Sequence, residues 1–231
     1  MSPQLGLMGL MASALQGFAD GWRTWGPLAV VLGAGLFAFT VVIVLFATGV
    51  GLWVGLTQPG TAQELPSAVV ALAGLAGMGV LITWTVCWQL LFAGVVRLAL
   101  READHGTPPS LADLLAATFT DWVPVLAVTL FTLLVGLVGT CLCVLPGVLA
   151  GAMLVWALPL VIDQGLDPLA AMRASASQFA KRPWWTLGFT LLGTLSMAVL
   201  GQILPVIGPG VGQVLYALFL AKGYRQVFGV G

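Results

Sequence analysis

Charge is what this sequence has least of: 7% of its 231 residues are Asp, Glu, Lys or Arg, where a soluble domain carries about 25%. With 60% hydrophobic residues it has too little polar surface to face water, and a soluble globular domain is excluded. The 8 Lys+Arg and 8 Asp+Glu cancel, so no basic field exists to hold nucleic acid. Cysteine is scarce too. Cys87, Cys141 and Cys143 are too few and too badly spaced for a disulfide framework or a four-ligand zinc site.

Long uncharged runs take the place of what is missing. Residues 28–57 and 67–96 contain no charge, and each is long enough for one tilted membrane helix but too short for two with a turn. Residues 122–162 are uncharged but broken by Leu145-Pro146-Gly147, and 184–221 are broken between Pro205 and Gly212. Pro removes a backbone donor and Gly tolerates the turn, so each run reads as a tight helical hairpin. The expected fold is all-α: a polytopic membrane protein with six spans at about 28–57, 67–98, 122–144, 147–163, 184–204 and 207–226. The runs lack the strict alternation of a membrane barrel strand.

Lys and Arg are retained on the cytoplasmic side of a membrane. In this layout Arg23, Arg97, Arg101, Arg173, Lys181, Arg182, Lys222 and Arg225 all fall on one face, and the three opposite loops carry only Glu64. Both termini are therefore expected in the cytoplasm. A secretory signal begins with positive charge, whereas the first charge here is Asp20, so no cleavage of the first 25 residues is expected.

The stretches 18–27 (Phe-Ala-Asp-Gly-Trp-Arg-Thr-Trp-Gly-Pro), 119–124 (Phe-Thr-Asp-Trp-Val-Pro) and 179–184 (Phe-Ala-Lys-Arg-Pro-Trp) each put Phe, charge, Trp and Pro at the mouth of a span. They suggest a single domain over 1–231 of three hairpin repeats, 1–100, 101–164 and 165–231. A short amphipathic helix is expected before each. The clearest is 168–182: Asp167 caps it, Pro168 opens it, and Leu169, Met172, Ala176 and Phe179 lie opposite Arg173, Ser177 and Lys181. The second, 110–120, has Ser110 and Asp113 in capping positions. The third, 4–19, is richer in glycine. Such helices lie in an anionic lipid interface or pack on neighbouring spans as connectors.

No ionisable residue falls in the middle of any span, although such residues mark ion coupling and substrate sites. Arg97 and Asp163 sit at span ends, where Arg snorkels and Asp meets water or a helix end. The deep polar positions are Thr83, Thr85, Gln89, Ser196, Gln202 and Gln213; Gln89, Gln202 and Gln213 are the candidates for an intramembrane polar site. Arg173, Lys181, Arg182 and Trp184 are the candidate interfacial lipid contacts. His105 lies in a polar turn, and no nucleophile, phosphate loop, dinucleotide fingerprint or metal motif accompanies it. Catalytic residues, cofactors and metals are therefore not expected. Small residues spaced by four, at Gly51/Gly55, Ala73/Gly77, Gly147/Gly151 and Gly208/Gly212, permit close helix approach and an interface with a second copy or another protein.

Leu145-Pro-Gly147, Trp156-Ala-Leu-Pro159, Asp163-Gln-Gly165, Ala170-Ala-Met-Arg-Ala-Ser175 and Lys181-Arg-Pro-Trp184 together resemble the six-helix bacterial inner-membrane proteins called YciC-like. They also resemble the related membrane domain fused to some glycerophosphodiester phosphodiesterases. The likeness covers about the last third of the chain and the polar turn near 97–110. It implies a bacterial cytoplasmic membrane and six spans; where the domain is fused to an enzyme, catalysis belongs to a separate soluble part, so no catalytic residue carries over. The expected function is a non-enzymatic scaffold, accessory or lipid-interacting subunit with membrane lipids as partners. A transporter or flippase for an uncharged or lipid-like substrate is the alternative.

Overall fold

A computed structural model describes residues 6–57, 67–106, 109–142 and 144–229. The described residues form helices and no strand: α1 (Leu7–Asp20), α2 (Trp22–Thr57), α3 (Ser67–His105), α4 (Leu111–Phe119), α5 (Trp122–Leu142), α6 (Val144–Leu154), α7 (Ala157–Gln164), α8 (Pro168–Lys181), α9 (Pro183–Ile203) and α10 (Gly208–Phe228). Among the described residues four stretches are long and apolar enough to cross a membrane: Trp22–Leu45, Ile82–His105, Leu145–Gln164 and Pro183–Ile203. A fifth arises if α4 and the following Trp122–Gly136, bent by 77° from it, count as one broken span.

Helices occupy all six segments expected to cross, but their bounds shift for physical reasons. α2 begins at Trp22 and runs through Pro27, earlier than the expected start at 28. α3 continues past 98 to His105, because Arg101, Glu102 and Ala103 are good helix formers that extend the rod beyond its apolar part. α5 ends at Leu142 and α6 begins at Val144, so Leu145-Pro146-Gly147 lies inside the first turn of α6 rather than between the helices; Pro costs least there, where its missing donor has no helical partner anyway. The fourth segment is broken at Val155-Trp156 into α6 and α7. Pro159 cannot donate to the carbonyl of Val155, four residues back, which weakens the helix at that point.

α10 lies at the centre, against α9, α2, α3, α1 and α7. It ends in Lys222, Tyr224, Arg225 and Gln226 and is not among the stretches apolar enough to cross alone. A central helix faces protein, so it tolerates polar groups that a lipid-facing one does not. Gly210 makes the α2 crossing possible: a Cβ there would strike the Ala29 carbonyl oxygen, and one on Gly33 would lie 2.7 Å from the Val206 oxygen. Gly208 and Gly212, one of the expected pairs, instead face Leu200 and Met197 of α9. The side chains of 51, 55 and 73 lie outside the described residues.

The three short helices precede α2, α5 and α9 as expected. In α4 the Ser110 side chain accepts from the Asp113 N–H while the Asp113 carboxylate accepts from Ser110, a complete capping box. These two bonds from Ser110 hold the Asp113 carboxyl below its usual range. In α8 the Asp167 carboxylate accepts from the Leu169 N–H at 3.1 Å, with Pro168 opening the helix.

Candidate functional site

Charged side chains gather at one end of the bundle and tie helix termini together. Arg225, near the end of α10, donates through both terminal nitrogens to Asp163 of α7, at 2.9 and 2.8 Å, and also to Asp104 of α3. The Tyr224 hydroxyl donates to Asp163 at 2.8 Å and accepts from Gln164 Nε2 at 2.9 Å. Glu102 accepts from Trp25 Nε1 at 2.9 Å, joining α3 to α2, and Lys222 donates to the Ser13 carbonyl of α1. Asp163, expected to meet water or a helix end, is thus half of a bidentate ion pair, the strongest geometry for Arg and carboxylate.

Arg97 does not snorkel. It is buried, and its Nη1 donates to the carbonyls of Ala117 at 2.9 Å and Thr120 at 2.6 Å, with Asp121 3.7 Å from Nη2. These carbonyls end α4, where four backbone acceptors lack helical partners. Asp121 adopts a left-handed conformation, φ 48°, which Asp tolerates better than most residues. Arg97 therefore holds the corner between α4 and α5. An open cleft of about 250 Å³ beside it is lined by Arg97, Arg101, Asp104, Asp121 and Asp163 among others. His105 lies exposed at the end of α3, and among the described residues no three His, Cys, Asp or Glu group as metal ligands.

The interfacial candidates face outward. Trp184 is 82% exposed, and Arg173, Lys181 and Arg182 are exposed with it. Trp22, Phe119 and Trp122 are exposed at the mouths of α2 and α5. α8 also packs inward, through Ala171 and Ser175, both fully buried. Ser175 repairs the break in the fourth segment: its hydroxyl donates to the Met153 carbonyl at 2.7 Å and accepts from the Trp156 N–H at 3.2 Å.

Deeper in the bundle an open cavity of about 270 Å³ lies among α3, α5, α6, α7, α9 and α10. Its polar lining is Gln89, Thr129, Thr132, Thr190, Thr194 and Tyr216, and its walls include Phe92, Val128, Leu133 and Leu154. The candidate polar residues do not converge there. Gln89 lines the cavity; Gln213 is buried elsewhere, its Oε1 without a partner, and Gln202 is exposed. The threonines and Tyr216 were missed from sequence; the spacings Thr129/Thr132 and Thr190/Thr194, each pair on one helix face, were the available signal. Cys87 is a free, exposed thiol, Cys143 lies outside the described residues, and the Cys141 side chain does so too. Comparison with known protein families, with characterised proteins and with solved structures finds nothing that matches this chain.

Proposed function

We propose that the protein is a non-enzymatic, lipid-interacting scaffold or accessory subunit of the bacterial cytoplasmic membrane. In this reading it crosses six times as three hairpin repeats, with both termini in the cytoplasm, as the likeness to YciC-like proteins implies. The observation that carries it is the exposure of Trp22, Phe119, Trp122 and Trp184 at or just before the starts of α2, α5 and α9, together with that of Arg173, Lys181 and Arg182 on and just after α8. Aromatic rings prefer the headgroup level, and basic side chains there attract anionic lipid at about 1 kcal/mol each. The ion pairs at the same end join helix termini, which is what a structural role requires. Transport of an uncharged substrate is the second reading, favoured by the cavity around Gln89 and Tyr216.

The test is reconstitution in sealed vesicles containing phosphatidylglycerol. Under an imposed pH or sodium gradient the expected result is no flux, together with a protein or lipid partner retained on extraction in native lipid. A flux abolished by Asp163→Asn, with folding intact, overturns the scaffold reading.

A further inference from the structure

We propose that the cavity among α3, α5, α6, α7, α9 and α10 binds a neutral lipid through a hydrogen-bond-accepting oxygen, held by Gln89 and Tyr216. This deepens the lipid-interacting reading by assigning a ligand class and a site.

The chemistry of the lining selects the ligand. Among the described residues no charged side chain lines the cavity, so an ionised headgroup would lose its water there without a counter-charge. The threonine hydroxyls have largely used their protons: Thr132 donates to Val128 O at 2.8 Å, Thr190 to Thr186 O at 3.0 Å and Thr194 to Thr190 O at 2.9 Å. Gln89 and Tyr216 make no hydrogen bond among the described residues. The donors left facing the cavity are therefore the Thr129 hydroxyl, a carboxamide NH₂ and a phenol O–H, and their complement is an ester, ether or hydroxyl oxygen.

The phenol is held in place. The Tyr216 ring stacks on Phe92 with centroids 5.8 Å apart, and its other edge lies against Gly193, where a Cβ would come within 2.6 Å of Cδ2. Only glycine lets the ring lie there. The remaining walls, Val128, Leu133, Leu154, Val155, Leu158 and Leu220, suit an acyl or isoprenoid chain, and the cavity is open rather than enclosed. Depth excludes an ordinary phospholipid. Gln89 is eight residues from Arg97 along α3, about 12 Å at the helical rise of 1.5 Å per residue, which would draw a phosphate from the interface well into the hydrocarbon.

The protein is reconstituted in phosphatidylethanolamine and phosphatidylglycerol vesicles with one of three photoreactive probes: a diacylglycerol, a long-chain alcohol or a phosphatidylglycerol. Cross-linked peptides are mapped by mass spectrometry. The two neutral probes are expected to label cavity peptides around Val128–Leu133 and Leu154–Leu158, whichever of them is the better ligand. The phosphatidylglycerol probe should label only exposed positions such as Leu134 and Leu195. Tyr216→Phe, which keeps the ring and removes the hydroxyl, and Gln89→Leu are each expected to lower neutral-probe labelling about fivefold, the worth of one hydrogen bond near 1 kcal/mol. Unchanged labelling in both variants, or equal cavity labelling by the charged probe, overturns the proposal. Labelling of α4 and α8 by the charged probe reports the interfacial reading separately, so that reading survives an empty cavity and the cavity survives its loss.

Discussion

The Ser175 hydroxyl allows a helix to be interrupted where no water reaches. In a bilayer every backbone polar group needs an internal partner. At the break at Val155-Trp156, Ser175, reaching across from α8, supplies one to the Met153 carbonyl and one to the Trp156 N–H. Ser175→Ala is expected to destabilise the protein by about 1–3 kcal/mol, the range for an orphaned buried donor or acceptor, while Ser177→Ala on the exposed face stays within about 0.5 kcal/mol. Unfolding in mixed micelles measures the difference; equal effects would mean that the break needs no splint. The helical spacing puts Ser177 on the polar face with Arg173 and Lys181, but nothing in the sequence marks Ser175 as the residue that bonds the break, because its partners lie on another helix. The same limit hid the role of Arg97, whose acceptors lie 20 and 23 residues away on another helix.

Each short helix has two faces to satisfy, and α4 shows how. Leu114, Ala117 and Thr118 are buried, and Gly94 of α3 admits the Thr118 side chain closely. On the opposite side Leu111, Leu115 and Phe119 are exposed. The alternatives of packing and lipid contact therefore fall on different faces of one helix, with Leu114 buried against protein and Leu111, Leu115 and Phe119 exposed. Spin labels test this division. In vesicles, labels at Leu115 and Phe119 are expected to be accessible to oxygen and shielded from a water-soluble nickel chelate, while one at Leu114 is immobilised. Nickel access at Leu115 would put α4 in water. Arg97→Leu leaves the α4 carbonyls uncapped and is expected to cost about 2 kcal/mol, as for a hydrogen bond to a charged group, and to raise the mobility of a label at Phe119.

Across the whole molecule packing is uneven, and the unevenness follows the charge. Trp25, Val95, Val128, Trp156, Phe189 and Phe219 are buried toward the charged end, whereas Val42, Leu45, Ile82, Val138, Leu195 and Ile203 are exposed along the same helices. Phe189 stacks on Phe219 with centroids 4.1 Å apart, so Phe189→Ala is expected to cost about 3 kcal/mol and Leu195→Ala under about 1 kcal/mol. Uncharged runs and the Pro205-to-Gly212 break made the helix order legible in the sequence, because apolar length is a local property. The crossing at Gly33 and Gly210 was not legible, because it depends on which helices meet. Orientation rests on the distribution of Lys and Arg and can be tested apart from packing. With Cys87, Cys141 and Cys143 replaced by Ser, single cysteines are placed at Val206, exposed between α9 and α10, and at Ser177, exposed on α8. If basic residues are held inside, an impermeant thiol reagent added to intact cells labels Val206→Cys and spares Ser177→Cys until the membrane is opened. The opposite pattern inverts the protein and places Arg173, Lys181 and Arg182 on the outer leaflet. Labelling of both positions in sealed cells means that the chain between them does not cross the membrane as one span, and the hairpin of α9 and α10 is then not a membrane hairpin.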